Sequence, residues 1–170
     1  MIRKALVIFI ILLICTLLET ALLSNVVFLP VVPDLLLLMV VYISVLNGSL
    51  TGEATGFVSG LLLDFLTAAP LGLNCLLRTL IGFFAGLFHD VLNFSKILIP
   101  ALLAFIATIV KALLIGFISF FFPNGVITYD LFSAAFGMEL LFNVILAPLV
   151  FAFLSLFSSV LAGDKEISRG

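Results

Sequence analysis

Residues 33–64, PDLLLLMVVYISVLNGSLTGEATGFVSGLLLD, decide how this chain folds. An apolar run from Leu35 to Leu46 is opened by Pro33-Asp34 and closed by Asn47-Gly48. Beyond it Gly48, Gly52, Gly56 and Gly60 recur at every fourth position, and Asp64 continues the series. Two helices joined at Gly48 would produce this pattern, but so would one bent or re-entrant piece, because the apolar run is short and Gly48 and Glu53 interrupt it. The first reading gives the chain six membrane spans and the second gives it five.

A membrane is required by composition. The 170 residues are 65% hydrophobic and 9% charged, with a mean hydropathy of +1.49, whereas soluble domains run near 25% charged. Each crossing of a hydrocarbon core about 30 Å thick takes about 20 helical residues, so six crossings use roughly 120 positions and leave no room for an extramembrane domain among these residues. Seven Lys and Arg against nine Asp and Glu leave a net charge of -2, which excludes a nucleic-acid partner. Cys15 and Cys75 stand in apolar runs without zinc or redox spacing and read as small buried hydrophobes. Arg3 and Lys4 before an apolar stretch imitate a signal peptide, but Leu18-Glu19-Thr20-Ala21-Leu22-Leu23 is a poor cleavage site, so a retained first helix is expected.

Apolar segments fall at 5–28, 34–48, 52–69, 73–92, 97–122 and 131–162, punctuated by Pro30, Pro33, Gly48, Gly52, Pro70, Gly72, Asn93, Ser95 and Pro123-Asn124-Gly125. Loop charge separates six spans from five. With six spans and a cytoplasmic N-terminus, Arg3, Lys4, Lys96, Lys165 and Arg169 all lie on the cytoplasmic side, and the outer loops near 29–33, 70–72 and 123–130 carry no base. Five spans would put the basic tail outside. The expected fold is therefore an all-α integral membrane protein: one polytopic domain over 1–170, a compact bundle of six transmembrane helices with both termini cytoplasmic. With no Trp in the chain, interfacial anchoring falls to Tyr129 and some of the 19 Phe.

Five charges remain inside the spans: Glu19, Asp64, Arg78, Lys111 and Glu139. Each costs about 2.5–3.5 kcal/mol at mid-membrane, so each should face a partner or a wet cavity. The topology places all five in the outer half of the bilayer. An intramembrane polar cluster of this kind can be a structural ion-pair lock, a small-molecule pocket or a partner-docking surface. Asn74 and Asn143, at similar depth, could extend it by hydrogen bonds between helices. The glycines form a second pattern, because Gly82 and Gly86 continue from Arg78 towards Asp90 as Gly48, Gly52, Gly56 and Gly60 do towards Asp64. Four residues turn a helix by about 400°, so each row winds by about 40° per step and suits a crossed neighbour. The third and fourth helices packing on each other would use it, as would the helix of another protein.

Catalytic groups are scarce. The single histidine, His89, stands beside Asp90 at the cytoplasmic end of the fourth helix without a second His or Cys at ligand spacing, and reads as an interfacial polar pair. Phosphate-loop, nucleophile-elbow and dinucleotide motifs are all missing. An ion path through Glu19, Asp64 and Glu139 is chemically open, but the inverted repeats typical of secondary transporters are not evident. No catalytic residue, metal ligand or cofactor site is expected.

Three stretches carry a family resemblance: Pro33-Asp34-Leu35-Leu36-Leu37-Leu38-Met39-Val40-Val41-Tyr42, then Gly56-Phe57-Val58-Ser59-Gly60-Leu61-Leu62-Leu63-Asp64, then Pro70-Leu71-Gly72-Leu73-Asn74. Together they resemble MreD, the rod shape-determining membrane protein family of bacteria, and length, span count and the short basic N-terminus agree. Pro33, Asp34, Asp64, Pro70, Gly72 and Asn74 are the motif positions, with structural roles expected. For the first pair a local reason exists, since Pro33 precedes the helix and Asp34 lies near its positive end. The resemblance implies a multi-pass protein of the bacterial cytoplasmic (inner) membrane, non-enzymatic and without cofactor. It would work in the cell-elongation machinery (elongasome) beside MreC, MreB and RodA with its transpeptidase, organising peptidoglycan synthesis. That family looks similar in fold to the six-helix substrate-binding components of energy-coupling-factor vitamin transporters, so a small-molecule carrier is the alternative. Homo-oligomerisation is left open.

Overall fold

The computed structural model describes residues 2–23, 31–67, 70–89, 97–122 and 132–161, which are helices and short connections with no strand among them. Helix α1 (Ile2–Leu18) passes into a π-helical turn at Glu19–Leu23. Next come α2 (Leu35–Asn47), α3 (Ser49–Leu66), α4 (Leu73–Gly86), α5 (Leu98–Phe121) and α6 (Ala134–Ser155), followed by one short turn of helix, α7 (Ser158–Leu161). The stretch 33–64 thus holds two helices. Gly48 separates them at φ +87°, a left-handed conformation that costs glycine little. The expected last segment, 131–162, is divided into α6 and α7. Lys96, Lys165, Arg169, Tyr129 and Asp90 lie outside the described residues.

Helix α2 is the centre of the molecule. Every residue from Leu36 to Val45 is buried, so α2 has no outward face, as expected of a helix that is apolar all round. Tyr42 meets Phe151 of α6 edge-on at 5.2 Å. The periphery is different. Helices α5 and α6, of 24 and 22 residues, are long and apolar enough to cross a membrane, yet only 28% of the most apolar window of each is buried. Leu113, Phe117, Phe120, Ile145, Leu149 and Phe153 point outward from them. An exposed apolar surface of this extent belongs in lipid rather than water. Helices α1, α2 and α4 are apolar but shorter.

Thirteen residues at 1.5 Å each make α2 about 20 Å long, well short of a hydrocarbon core about 30 Å thick. Its first turn starts inside the molecule, with Asp34 at 5% and Leu36 and Leu37 at 0% exposure, where the free N–H groups of a helix start have no water to bond to. Helix α4, of 14 residues, faces the same difficulty. The polar side chains of this chain are placed where those two helices begin.

Helices α3 and α4 form the most intimate pair, and their glycines make the approach possible. A Cβ on Gly52 would collide with the Gly82 carbonyl, one on Gly56 with the Arg78 carbonyl, one on Gly60 with the Asn74 carbonyl, and one on Gly86 with the Ser49 backbone. The seam is therefore filled within the chain. Gly48 forms the turn, where a Cβ would meet only the His89 ring at 3.9 Å, while its backbone carbonyl carbon lies against Gly86 at the end of the seam.

Candidate functional site

Asp34, the residue before α2, is the hub of the buried polar groups. Its Oδ1 accepts from the Leu37 N–H at 2.8 Å, the ordinary helix-capping bond, and from Arg78 Nη2 of α4 at 2.7 Å. Its Oδ2 accepts from Lys111 Nζ of α5 at 2.7 Å, and Lys111 Nζ donates also to Glu139 Oε1 of α6 at 2.7 Å. The Asp34 N–H donates to Asn143 Oδ1 at 2.9 Å, and Asn143 Nδ2 reaches Thr108 Oγ1 of α5 at 3.1 Å. From the π-helical turn that ends α1, Glu19 Oε2 accepts from the Leu36 N–H at 2.8 Å. Four other helical elements thus converge on the start of α2. The Leu35 and Leu38 N–H groups bond to the Pro33 and Asp34 carbonyls, so no donor in this first turn is left unmet.

The depth of this hub follows from its partners. Asn143 lies about 14 Å along α6 from its first residue and Lys111 about 20 Å along α5. Asp34, Arg78, Glu139 and Asn143 are at most 6% exposed. Two bases and three carboxylates in so dry a place survive because each is paired or hydrogen-bonded; removing one partner from such a set costs several kcal/mol.

Asp64 stands apart. Its Oδ2 accepts from the Gly72 N–H at 2.9 Å and the Cys75 N–H at 3.1 Å, and its Oδ1 from the Asn74 N–H and Nδ2, both at 3.0 Å. It closes the first turn of α4 as Asp34 and Glu19 close that of α2. Gly72 takes φ +93° and the Pro70 carbonyl accepts from the Leu73 N–H at 3.1 Å, so Pro70, Gly72 and Asn74 shape a turn whose donors converge on one carboxylate.

Of the five charges singled out in the sequence, the structure brings Glu19, Arg78, Lys111 and Glu139 together around Asp34 and places Asp64 at its own turn. Asn143 joins the network and Asn74 joins Asp64. Sequence reasoning did not place Asp34 in the cluster, since a carboxylate before a helix looks like a surface cap. The available signal was the 13-residue length of the run that follows, too short to bring its start to a surface. His89 turns its Nδ1 to the Val45 carbonyl at 3.0 Å. Cys75 is buried and Cys15 half-buried. No group of three His, Cys, Asp or Glu that could hold a metal ion is present among the described residues.

Two cavities adjoin the hub. Beside it is a polar chamber of about 290 Å³ lined by Glu19, Thr20, Asp34, Thr67, Asn74, Arg78, Lys111 and Glu139, with Val32 and Leu63. The other is an apolar groove of about 570 Å³ between α1 and α6, floored by Leu35 and Met39 of α2. Cys15 and Leu149 line its two walls. Among the described residues the hub's carboxylates accept from helix-start N–H groups and from the two cations.

A comparison with family models matches residues 2–157 to the family described as rod shape-determining protein MreD. Neither a curated protein nor a solved structure matches the chain.

Proposed function

The chain belongs to the MreD family of rod shape-determining membrane proteins, and from that premise we propose that it is a non-enzymatic scaffold of the bacterial cell-elongation machinery. It crosses the inner membrane six times with both termini in the cytoplasm, and helps organise peptidoglycan synthesis with an MreC-like partner. MreB, RodA and its transpeptidase act beside it. The observation that carries this reading is the use made of the charges. Arg78, Lys111, Asp34 and Glu139 bind one another and the start of α2, which is what a rigid framework needs and what a catalytic centre, with its free acid, base or nucleophile, does not. The glycine seam is consumed by the α3–α4 contact, which leaves the apolar groove between α1 and α6 as the concave surface that suits the single transmembrane helix of the partner.

The test is purification of the tagged protein from its native membrane in mild detergent, with mass spectrometry of the proteins and small molecules that accompany it. Recovery of an MreC-like protein and other elongation proteins is the expected result. Recovery of ATPase subunits and a tightly held vitamin-like molecule, without elongation proteins, would replace the scaffold by a carrier.

A further inference from the structure

One charge stands outside the buried network. Glu53 is exposed on α3, and among the described residues it enters no hydrogen bond or ion pair. Gly52, Thr55, Gly56 and Ser59 occupy the buried side of α3, so Glu53 shares the outward side with Leu50, 80% exposed, and Phe57, 50% exposed. Leu50 stands one turn nearer the Gly48 end of the helix. Leu87 and Phe88 are exposed where the end of α4 adjoins it, so this level of the surface is apolar. Glu53 lies about 4.5 Å further along α3 than an outward leucine. A carboxylate there, with apolar surface before and after it on the helix, is costly in lipid unless a cation faces it.

We propose that the outward side of α3 docks a transmembrane helix of another protein that carries a Lys or Arg at the depth of Glu53. Charge selects the occupant. A second copy of this chain, set symmetrically on the same face, would bring Glu53 against Glu53, a like-charge pair in a medium of low dielectric. Lipid chains cover Leu50 and Phe57 but offer the carboxylate no partner. A helix with a base at this level covers the apolar residues and supplies the counter-charge together, and the exposed Ala54 between them allows close approach. In the six-span arrangement the Gly48 end of α3 is cytoplasmic, the side on which membrane proteins concentrate Lys and Arg. The proposal rests on the scaffold reading for that side of the membrane alone. No residue of α3 lines the groove between α1 and α6, so the two surfaces can hold different helices.

The decisive experiment places the full-length protein, with a donor dye at its N-terminus, in dioleoylphosphatidylcholine vesicles with acceptor-labelled transmembrane peptides of Leu and Ala. The peptides differ only in a Lys, Gln or Glu one turn from one end. Energy transfer should show the wild type binding the Lys peptide about tenfold more tightly than the Gln peptide, the size of one polar contact between membrane helices. The Glu peptide should bind no better than the Gln peptide. Glu53→Gln should remove the difference, and Glu53→Lys should reverse it in favour of the Glu peptide. Both variants should fold, since Glu53 makes no bond among the described residues that they would break. Peptides enter the vesicles in both orientations, so the measurement reads docking whichever side of the membrane Glu53 faces. Its outcome is therefore separate from the recovery of elongation proteins that tests the scaffold reading. Equal binding of the three peptides by the wild type, a Lys preference that persists in Glu53→Gln, or Glu53→Lys without reversal overturns the proposal.

Discussion

Asp34 is engaged through both carboxylate oxygens and its own N–H, and this one side chain holds α2 to α4 and α5 while its backbone holds α6. Its replacement separates two roles. Asp34→Asn can still cap the Leu37 N–H but deprives Arg78 and Lys111 of their shared counter-charge, and breaking a buried pair costs about 3–5 kcal/mol. Asp34→Ala loses the cap as well, worth about 1 kcal/mol more. Unfolding of the purified protein by titration with a denaturing detergent should rank the stabilities as wild type, then Asp34→Asn, then Asp34→Ala. Equal stability of Asp34→Asn and wild type would show that the ion pairs contribute nothing. Lys111 differs in kind: it bridges Asp34 and Glu139, so Glu139→Gln leaves it one charged partner and should cost less than Asp34→Asn in the same titration.

At the scale of the element, glycines of one chemical type divide into two classes. Gly56 and Gly82 lie where a methyl group would strike backbone, which cannot move aside as a side chain end can. Gly56→Ala and Gly82→Ala should each destabilise the protein by about 1–3 kcal/mol through forced separation of α3 and α4. Gly116 in α5 and Gly137 in α6 have nothing within 4 Å of an added Cβ. Gly116→Ala and Gly137→Ala should be neutral or stabilising by up to about 1 kcal/mol, since alanine is the better helix former. The fourth-residue spacing marked the close-packed row in the sequence. What spacing could not supply was the partner. The same row would have served a foreign helix, and the meetings of Gly52 with Gly82, Gly56 with Arg78 and Gly60 with Asn74 show it used internally. Asp64 teaches a related lesson. Its charge at the depth shared by the other four suggested a member of the ionic cluster, while the donors that claim it include backbone N–H groups eight to eleven residues on. Asp64→Ala should leave four donors unmet and loosen the first turn of α4. Hydrogen exchange should then accelerate at Gly72, Asn74 and Cys75 and stay unchanged in α5.

For the whole molecule, segmentation was legible because apolar runs broken by Pro, Gly and Asn leave few alternatives, and the joint at Gly48 separated two helices as its neighbours suggested. Depth was less legible, because helix length was treated as span length. Once α2 is short and central, its start must be buried, and the costly charges follow from that necessity. One consequence concerns the outside of the molecule. With the charges turned inward and the glycine seam closed, the groove between α1 and α6 is where a partner helix can gain contacts on two walls and a floor. Cys15 lies in that groove and Cys75 is buried beside the Phe57 carbonyl at 3.6 Å, so a thiol-directed crosslinker should report on Cys15. In membranes containing an MreC-like protein with a single cysteine in its transmembrane helix, a crosslink should form through Cys15 and vanish in Cys15→Ala. Leu149→Trp, which fills the opposite wall, should reduce its yield without unfolding the protein, as checked by the same detergent titration. A crosslink of undiminished yield in Leu149→Trp would place the partner elsewhere on the lipid-facing surface, since an occupied groove has no room for a helix.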